Sequence, residues 1–539
     1  MQRLQEISYG GKGTENQGQE LKKKVVIQMI KASKKVLRMQ KRNASREAEK
    51  QARKEEVRGN ICRKADRNIS NRKCKFETAL DEIKDRYELA AETLKVYSRY
   101  LPGILKDLSE IEDTRNPKKI THKLSLLMLY GIFAFVFHMS SRRDSNSEMT
   151  TVFMENMRAF FPELESLPHS CTLARLLEDI DVGHIEDVTV DFLNKLIRDK
   201  KLVNYMVNKR YLIAIDGVHK FTREREWCEN SLRKHKKGEP EGIYQYYASA
   251  LEASLVLPEG LTIPFMTEFM DRSEYGDEGT DTEKKKQDCE LKAFKRLAWR
   301  LKEHFPRLNI AVTLDGLYAN GPLIELCQSY GWDYMIVLKD GSLKTVWEDI
   351  KGIDEIGNVE EYSGTEINGV RQKFRWVNDI DYRYGENGTK NVKMNVAMCI
   401  ETRNEFDQKT GQEIDKTKKF AWISFKEINK KNVETRCNLM GRPRWNIETQ
   451  NLVEKHHGYA YGHCFSYNWN AMKGYHYLMH LGHILNIMTL YSSNLIGRVK
   501  EKGARRTIKL IWLAFKGEIL DIERLKMMIQ SKYQIRLAI

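Results

Sequence analysis

The sequence predicts an α/β protein with helical regions at both ends. Two short apolar runs, YLIAIDG (residues 211–217) and NIAVTLDG (309–316), have the length and composition of buried strands, and each ends in Asp-Gly. Further strand-like segments and an amphipathic helix separate them. After them, GPLIELCQSYG leads as a short helix to a third strand, DYMIVLKD. Strands that alternate with helices favour a sheet with parallel members.

Different patterns flank this segment. Residues 76–205 carry apolar residues at helical spacing, beginning with Phe76, Ala79 and Ile83, and therefore predict helices. Between residues 353 and 440, apolar and polar residues alternate and turn residues separate the runs, which predicts β-structure. The C-terminal stretch is again typical of helices.

The first 75 residues are strongly basic. They contain 22 Lys and Arg against 8 Asp and Glu, a balance of +14, so the rest of the chain holds 16 − 14 = +2 of the net charge. Residues 20–58 lack Gly and Pro, which predicts a long basic helix. A basic block joined to a nearly neutral body favours a nucleic-acid-binding arm, although a solvated or disordered tail fits the charge equally well.

Composition excludes several other classes of protein. The nine cysteines are scattered and form no CxxC, which argues for reduced thiols and against a disulfide framework or a zinc ribbon. The N-terminus has no apolar run of a secretory signal. The longest apolar stretch, residues 124–137, is 14 residues long, too short to cross a bilayer, and predicts a buried core helix. We therefore expect a cytoplasmic protein without a membrane partner.

Three acidic residues are candidates for one site. Asp216 and Asp315 each follow a predicted strand, and reactive groups in α/β sheets collect at the carboxyl ends of strands. In RPRWNIETQNLVEKHHGY (442–459), Arg444, Glu448 and Lys455 are spaced four and seven apart, which places them on one helix face. Taken alone, each Asp-Gly is more often a turn and the helix face more often an exposed salt-bridge ladder.

Together, the three carboxylates point to metal chemistry. Convergent carboxylates bind Mg²⁺, and two such ions about 3.5–4 Å apart can clamp the attacking and leaving oxygens of a phosphoryl displacement. Arg444 and Lys455 beside Glu448 would then bind the scissile and neighbouring phosphates.

These residues resemble those of the DDE transposases of bacterial insertion sequences, over roughly residues 113–488. One large branch of that group carries Tyr-x2-Arg-x3-Glu-x6-Lys, and Arg444, Glu448 and Lys455 match its spacing. Gly441 occupies the Tyr position, which is a departure from the pattern. PHSCTLARLL, IAIDGVHK, KQDCELKAFKRL and TLDGLYANGP are also similar to stretches of that group.

The resemblance implies an RNase H-like catalytic core interrupted by a β-rich insertion. Asp216, Asp315 and Glu448 would be the catalytic metal ligands for two Mg²⁺ ions, with Mn²⁺ as a substitute. They would activate water to nick a transposon end, and the freed 3′-OH would attack a second phosphodiester. The partners would be double-stranded DNA, as terminal inverted repeats and target, and a second copy of the chain in a homodimer. The protein would be associated with the nucleoid.

The same resemblance divides the chain into six regions. They are a DNA-binding arm (1–75), a helical DNA-binding or dimerisation domain (76–205), the first part of the catalytic core (206–352), the β-rich insertion (353–440), the second part of the core (441–490) and a helical C-terminal region (491–539).

Several other residues are weaker candidates. His219 and Lys220 follow Asp216 and are candidate DNA contacts. Trp445 could stack on an unpaired base, although packing in the core is favoured. His456, His457 and His463 crowd one region but lack the further ligands of a zinc site. Asp288 could approach the metals, although capping or an internal salt bridge is favoured, and Glu268 is the best substitute for Glu448 as the third ligand.

Two other functions remain open from the sequence. One is an RNase H-like nuclease or resolvase that cuts DNA without joining strands. The other is a catalytically inactive, domesticated DNA-binding protein, against which the presence of all three carboxylates counts.

Overall fold

A computed structural model describes residues 37, 39–55, 76–240, 242–272, 289–364, 366, 369–407, 412–530 and 535–538. The chain divides into two compact units, Met1–Asp81 and Glu82–Ile539. In the first unit, residues 39–55 form an exposed helix, in agreement with the basic helix predicted there. The rest of the predicted arm, apart from residue 37, lies outside the described residues.

Besides the helix of residues 39–55, six α-helices precede the sheet in the described part of the chain. They are α1 (Ala79–Ser109), α2 (Leu124–Val136), α3 (Arg142–Glu148), α4 (Thr151–Arg158), α5 (Ser170–Asp179) and α6 (Gly183–Arg198). Helix α2 is buried along nearly its whole length, as expected of its continuous apolar sequence. Among the described residues, no helix has both the length and the apolar character needed to span a bilayer.

A large mixed sheet forms the centre of the second unit. Its strands are β1 (Tyr211–Arg223), β2 (Leu232–His235), β3 (Tyr244–Val256), β4 (Thr262–Phe269), β5 (Ile310–Leu314), β6 (Asp333–Val337), β7 (Glu360–Ser363), β8 (Val370–Tyr384), β9 (Lys390–Asp407) and β10 (Gln412–Ser424). Their order is β2-β3-β1-β5-β6-β10-β9-β8-β7, and β4 also pairs with β3. The pairings of β1 with β5 and of β5 with β6 are parallel. The other pairings among the described strands are antiparallel.

Helices connect the parallel strands, as the alternating pattern predicts. Helix α7 (Glu290–His304) precedes β5, α8 (Gly321–Ser329) joins β5 to β6, and α9 (Lys344–Glu355) follows β6. Both faces of β1 are covered. Ile213 and Ile215 belong to one apolar cluster, and Leu212 and Ala214 belong to another. Because successive side chains of a strand point to opposite faces, a strand buried on both sides has the continuous apolar sequence seen here.

The β-rich segment is continuous with the central sheet. Strands β7 to β10 form an antiparallel series, and β10 pairs with β6 through Trp422 opposite Val337 and Ser424 opposite Met335. The sequence predicts strands here but not their partner. The structure shows that they extend the edge of the sheet beyond β6 instead of forming a separate layer.

The chain ends in helices. They are α10 (Trp445–His456), α11 (Trp469–Leu490), α12 (Ile496–Lys502), α13 (Ala504–Lys516) and α14 (Ile522–Ile529). Helix α11 is buried from Ala471 to Leu490 except at one residue, Lys473. Its glycines permit close contact with its neighbours: a Cβ on Gly482 would lie 2.9 Å from Phe135 Cβ and 3.2 Å from the Ile132 carbonyl oxygen, both on α2.

We expect Gly482→Ala to destabilise the protein. The added Cβ meets backbone and a Cβ of α2, which cannot rotate away, and overpacking of this kind costs about 1–3 kcal/mol. That cost exceeds the gain of up to about 1 kcal/mol in helix propensity. In the matched control Gly497→Ala, on α12, the new Cβ meets nothing within 4 Å. Denaturant unfolding checks both variants, and equal stability of the two would contradict close packing at Gly482.

Candidate active site

Two predicted acids lie side by side at the carboxyl ends of parallel strands. Strands β1 and β5 pair in parallel, with Ile215 opposite Leu314, so that the next residues, Asp216 and Asp315, are neighbours. Beyond this point β1 continues to Arg223 beside β3 alone. Asp315 begins a single 3₁₀ turn, Gly316–Tyr318, which ends the strand. From the two acids onward, β1 therefore has no neighbouring strand on the β5 side among the described residues.

The third acid reaches the same place through an arginine. Arg444 ends a short 3₁₀ turn just before α10, and Glu448 lies in the first turn of that helix. The Arg444 guanidinium donates from Nη2 to Glu448 Oε1 at 2.6 Å and from Nη1 to Asp216 Oδ2 at 3.4 Å. Its side chain is only 3% exposed. Arg444 therefore lies between the two carboxylates and holds Glu448 beside Asp216.

This environment changes the acidity of Asp216. Burial raises its pKa to about 6, and the neighbouring carboxylates of Glu448 and Asp315 act in the same direction, while Arg444 opposes them. Asp216 and Glu448 share a single cation, so the half-buried group of acids has an excess of negative charge. Such a site favours binding of a further cation from outside the chain.

Asp315 is in a different electrostatic state. Burial raises its pKa, but the hydrogen bond from Lys339, with further help from the Gly316 backbone and Arg444, outweighs that effect, so the pKa lies below its ordinary value. Lys339 Nζ is 2.8 Å from Asp315 Oδ2, and the stem of Lys339 packs on Gly316. Lys339 lies just beyond the end of β6 and was not among the sequence candidates.

A fourth carboxylate, Glu290, was also missed. It begins α7, and its carboxyl group packs so closely on Gly217 that a Cβ there would lie 2.4 Å from the Glu290 carboxyl carbon. Tyr318 donates a hydrogen bond to Glu290 Oε2 at 3.4 Å. Burial raises the pKa of Glu290, and Asp315 raises it further. The surrounding stretch KQDCELKAFKRL is part of the resemblance, and its Asp288 is the sequence candidate for approaching the metals, but nothing in the sequence singles out Glu290, two residues further on.

The donor set suits hard divalent cations. Asp216, Asp315, Glu448 and Glu290 offer carboxylate oxygens, which are the ligands that Mg²⁺ and Mn²⁺ prefer. Asp216 lies in β1 where its pairing with β5 stops, Asp315 follows β5, and Glu448 and Glu290 lie in the first turns of two helices, so the site is assembled from rigid elements and not from one loop. Arg444 and Lys339 supply two positive charges, which balance only part of the charge of the four acids.

The two residues predicted as DNA contacts beside Asp216, Lys220 and His219, differ in their exposure. Lys220 is buried, with its Nζ 3.2 Å from His476 Nδ1 and 4.2 Å from the centre of the Tyr461 ring. It is therefore not placed to contact DNA: Lys220 lies at the register shift of β1 between His219 and Phe221, where its side chain is buried while that of His219 is exposed. His219 is exposed, stacks on Tyr247 and makes a 2.7 Å hydrogen bond with Thr222.

The other predicted contacts of α10 differ in exposure. Trp445 is 52% exposed, so the favoured expectation of a core tryptophan was wrong. Its ring lies 4.2 Å from the Arg444 guanidinium carbon. Lys455, two turns beyond Glu448, is half-buried with its Nζ 5.6 Å from the Tyr461 ring. Of these two residues of α10, Trp445 is therefore the one that presents a broad exposed surface.

The weaker acidic and histidine candidates do not join the site. Glu268, on β4, is paired with Arg296 at 2.7 Å and Arg300 at 3.0 Å, so it is already neutralised away from Asp216. His456 and His457, at the end of α10, and His463 are all exposed, and the three form no metal-binding group in the described part of the chain. Asp288 lies outside the described residues.

Comparison with known proteins supports one class of function. Residues 105–193 match a family model described as DDE_Tnp_1-associated, a domain associated with DDE transposases, and this supports a transposase function. The matched residues run from the end of α1 into α6 and include none of the acids of the candidate site. No curated protein matches the sequence.

A solved structure shows a distant likeness. It is a cryo-EM structure of a piggyBac transposase synaptic complex with hairpin DNA, which is 13% identical, with 83% of this chain and 82% of that chain covered and a TM-score of 0.33. At that identity and TM-score the likeness assigns neither a fold nor a function.

We expect Arg444→Met to lower the free energy of unfolding by about 3 kcal/mol, because it leaves two partly buried carboxylates facing each other without a cation. Added Mg²⁺ or Mn²⁺ should recover part of this loss by binding the freed acids. The matched control is Arg442→Met, which removes a neighbouring arginine paired with Glu401. Thermal unfolding with and without the ion distinguishes them: recovery in both variants, or in neither, would contradict a cation site at Asp216 and Glu448.

Proposed function

We propose that this chain is a DDE transposase that cleaves and joins DNA by phosphoryl transfer at Asp216, Asp315 and Glu448. One observation carries the proposal: Arg444 joins Asp216 to Glu448, and Asp315 follows the neighbouring parallel strand, so that three acids far apart in sequence come to one edge of the sheet. The match of residues 105–193 to a domain associated with DDE transposases supports it independently, since those residues contain none of the acids.

We take strands β4, β3, β1, β5 and β6 as the RNase H-like core of the proposal. Three antiparallel strands followed by two parallel ones bring Asp216 and Asp315 to one edge. Strands β7 to β10 are then the β-rich insertion between the second acid and the helix of the third. Because β10 pairs with β6, the insertion is built onto the core sheet and can position α10.

The proposed chemistry uses two divalent ions, Mg²⁺ or Mn²⁺, which lower the pKa of a bound water and stabilise the charge that develops on phosphate oxygens. Asp216, Asp315 and Glu448 would hold them, with Glu290 in reach of the same place. Arg444 orients Asp216 and Glu448 towards each other, and it can turn to a phosphate oxygen once other cations balance the acids. Lys339 would supply positive charge beside Asp315.

Two surfaces of the chain favour DNA as the substrate. A hollow of about 630 Å³ beside the acids is lined by Trp445, Trp347, Phe420 and the cations Lys339 and Lys419. Trp445 is exposed, and Trp347 and Phe420 are half-buried; aromatic rings among cations are suited to unpaired bases and phosphates. A second hollow, of about 800 Å³, has Lys502, Arg505, Arg506 and Lys509 on its rim and borders α10.

The basic first 75 residues complete the proposed DNA contact, and we place the protein with the nucleoid in the cytoplasm. The two ends of an element would be paired by a homodimer, which uses one catalytic site per end.

The triad is tested by cleavage of a DNA that carries the inverted repeats flanking the coding region. We expect Asp216→Asn, Asp315→Asn and Glu448→Gln each to lower Mg²⁺-dependent cleavage by about 10³-fold or more, because each removes a ligand charge. The control Glu348→Gln changes an exposed carboxylate on α9 and should leave the rate unchanged. Wild-type rates in the triad variants would refute the assignment.

The products separate the remaining alternatives. A strand-transfer product, in which the cut end is joined to target DNA, is expected of a transposase and excludes a nuclease that only cuts. Absence of both cleavage and divalent-ion binding would leave a DNA-binding protein without catalysis.

The arm is tested by salt dependence. Deleting residues 1–75 removes a charge balance of +14, so DNA affinity should fall and the slope of log affinity against log salt should become shallower by several units. Fluorescence anisotropy with the intact and shortened chains measures both quantities. An unchanged slope would show that the arm makes no phosphate contacts.

A further inference from the structure

A second group of ionisable side chains lies buried behind the candidate active site. Glu252 is on β3, Glu454 is on α10, and His476 and His480 are one turn apart on α11. The four are between 0% and 2% exposed. We call them the buried Glu-His cluster. None of them was a candidate in the sequence, and none is needed for the proposed phosphoryl transfer.

The ligand atoms of the cluster converge. One atom each of Glu252, His476 and His480 lie within 4.8 Å of one another. Glu252 Oε1 is 3.6 Å from His476 Nε2 and 3.9 Å from His480 Nε2. On the other side, His480 Nε2 is 3.9 Å from Glu454 Oε2. These separations exceed a hydrogen bond but fit atoms that surround one ion at about 2.0–2.2 Å each.

Three of these atoms have no hydrogen-bond partner in the described part of the chain. They are Glu252 Oε2, Glu454 Oε2 and His480 Nε2, all of them inaccessible to solvent. A buried polar atom without a partner costs about 1–3 kcal/mol, and more when it is charged. Three such atoms come from three different elements, and two of them, Glu454 Oε2 and His480 Nε2, are 3.9 Å apart, which indicates a missing positive partner.

The remaining atoms of the cluster are already held in position. Tyr461 donates to Glu252 Oε1 at 2.7 Å, and His483 Nδ1 lies 2.6 Å from Glu454 Oε1. His476 Nδ1 lies 3.2 Å from Lys220 Nζ, while its Nε2, the nitrogen that would bind the ion, is 3.0 Å from the Thr267 hydroxyl, which must turn away when the ion binds. Such outer contacts orient ligands for an ion.

The nearby lysine does not satisfy the two carboxylates. Within the described residues, no ion pair of 4.0 Å or less joins Lys220 to Glu252 or Glu454, since its ammonium lies on His476 and the Tyr461 ring.

We propose that Glu252, His476 and His480, whose ligand atoms converge, bind one divalent transition-metal ion of the Zn²⁺ class, and that Glu454 Oε2, 3.9 Å from His480 Nε2, completes the set as the fourth ligand. Imidazole nitrogens select such ions over Mg²⁺. With every position taken by the protein and no access for solvent, the ion has a structural role. The oxygen-only group at Asp216 differs from it in ligand chemistry.

The ion would fasten the helix of Glu448 to the sheet. Glu252 pairs directly with Asp216 across β3 and β1, and Glu454 follows Glu448 by six residues, about 9 Å along α10. One ion bonded to β3, α10 and α11 would therefore fix the distance between the helix of the third acid and the strand of the first. The inference does not depend on the proposed function.

The test is the metal content of the full-length protein, produced without a polyhistidine tag and dialysed against Mg²⁺ buffer. Elemental analysis should find about one zinc-class ion per chain in the wild type. Glu252→Gln and His480→Gln should lower this at least tenfold. Two controls should keep the ion: His463→Gln, a histidine outside the cluster, and Asp216→Asn, in the candidate active site. A normal metal content in Asp216→Asn separates this site from the catalytic one.

A second measurement does not depend on the folding of variants. The wild type, unfolded in chelator and refolded with Co²⁺, should show the intense visible absorption of a four-coordinate ion, and its melting temperature should rise with Zn²⁺ but not with Mg²⁺. Wild-type protein that carries no transition metal and is not stabilised by Zn²⁺ would overturn the proposal. Retention of the ion in both Glu252→Gln and His480→Gln would overturn it as well.

Discussion

The contact of Arg444 with Asp216 and Glu448 is the interaction on which the candidate site depends. Two carboxylates brought together in a half-buried place repel each other, and burial adds to that cost. A single guanidinium, itself almost completely buried, offsets both effects because its fork can reach two partners at once. A lysine could not do this with the same geometry. The arginine therefore sets where α10 begins relative to β1.

The sheet provides the frame for this contact. Strand β1 is covered on both faces and pairs with β3 on one side and β5 on the other, so the position of Asp216 is determined by two registers. The parallel register of β5 with β1 determines the position of Asp315, and the packing of α7 against Gly217 determines that of Glu290. Four acids are thus located by backbone pairing and close packing, while the polar network of Glu252, Glu454 and α11 supports the site from behind.

The strands and helices followed from local patterns. The apolar runs before Asp216 and Asp315 predicted β1 and β5, and the 14-residue apolar stretch predicted α2, because periodicity and length are local properties. Side-chain surroundings were less predictable. Lys220 and Trp445 were assigned to the surface and the core respectively, and the structure places each in the opposite environment. A basic side chain on a buried strand and an indole at a helix start carry no local sign of what packs against them.

The sequence by itself determined the order of the elements, the concentration of basic charge at the N-terminus, and the identity of three acids whose spacing resembles a known catalytic pattern. Only the tertiary structure decided that Arg444 is a buried bridge, that Glu290 and Lys339 lie beside the acids, and that β7 to β10 extend the same sheet. Only the tertiary structure also shows that Glu252, Glu454, His476 and His480 lie close together. These contacts join residues from separate parts of the chain, and they depend on sheet register and helix packing, which no short stretch of sequence encodes.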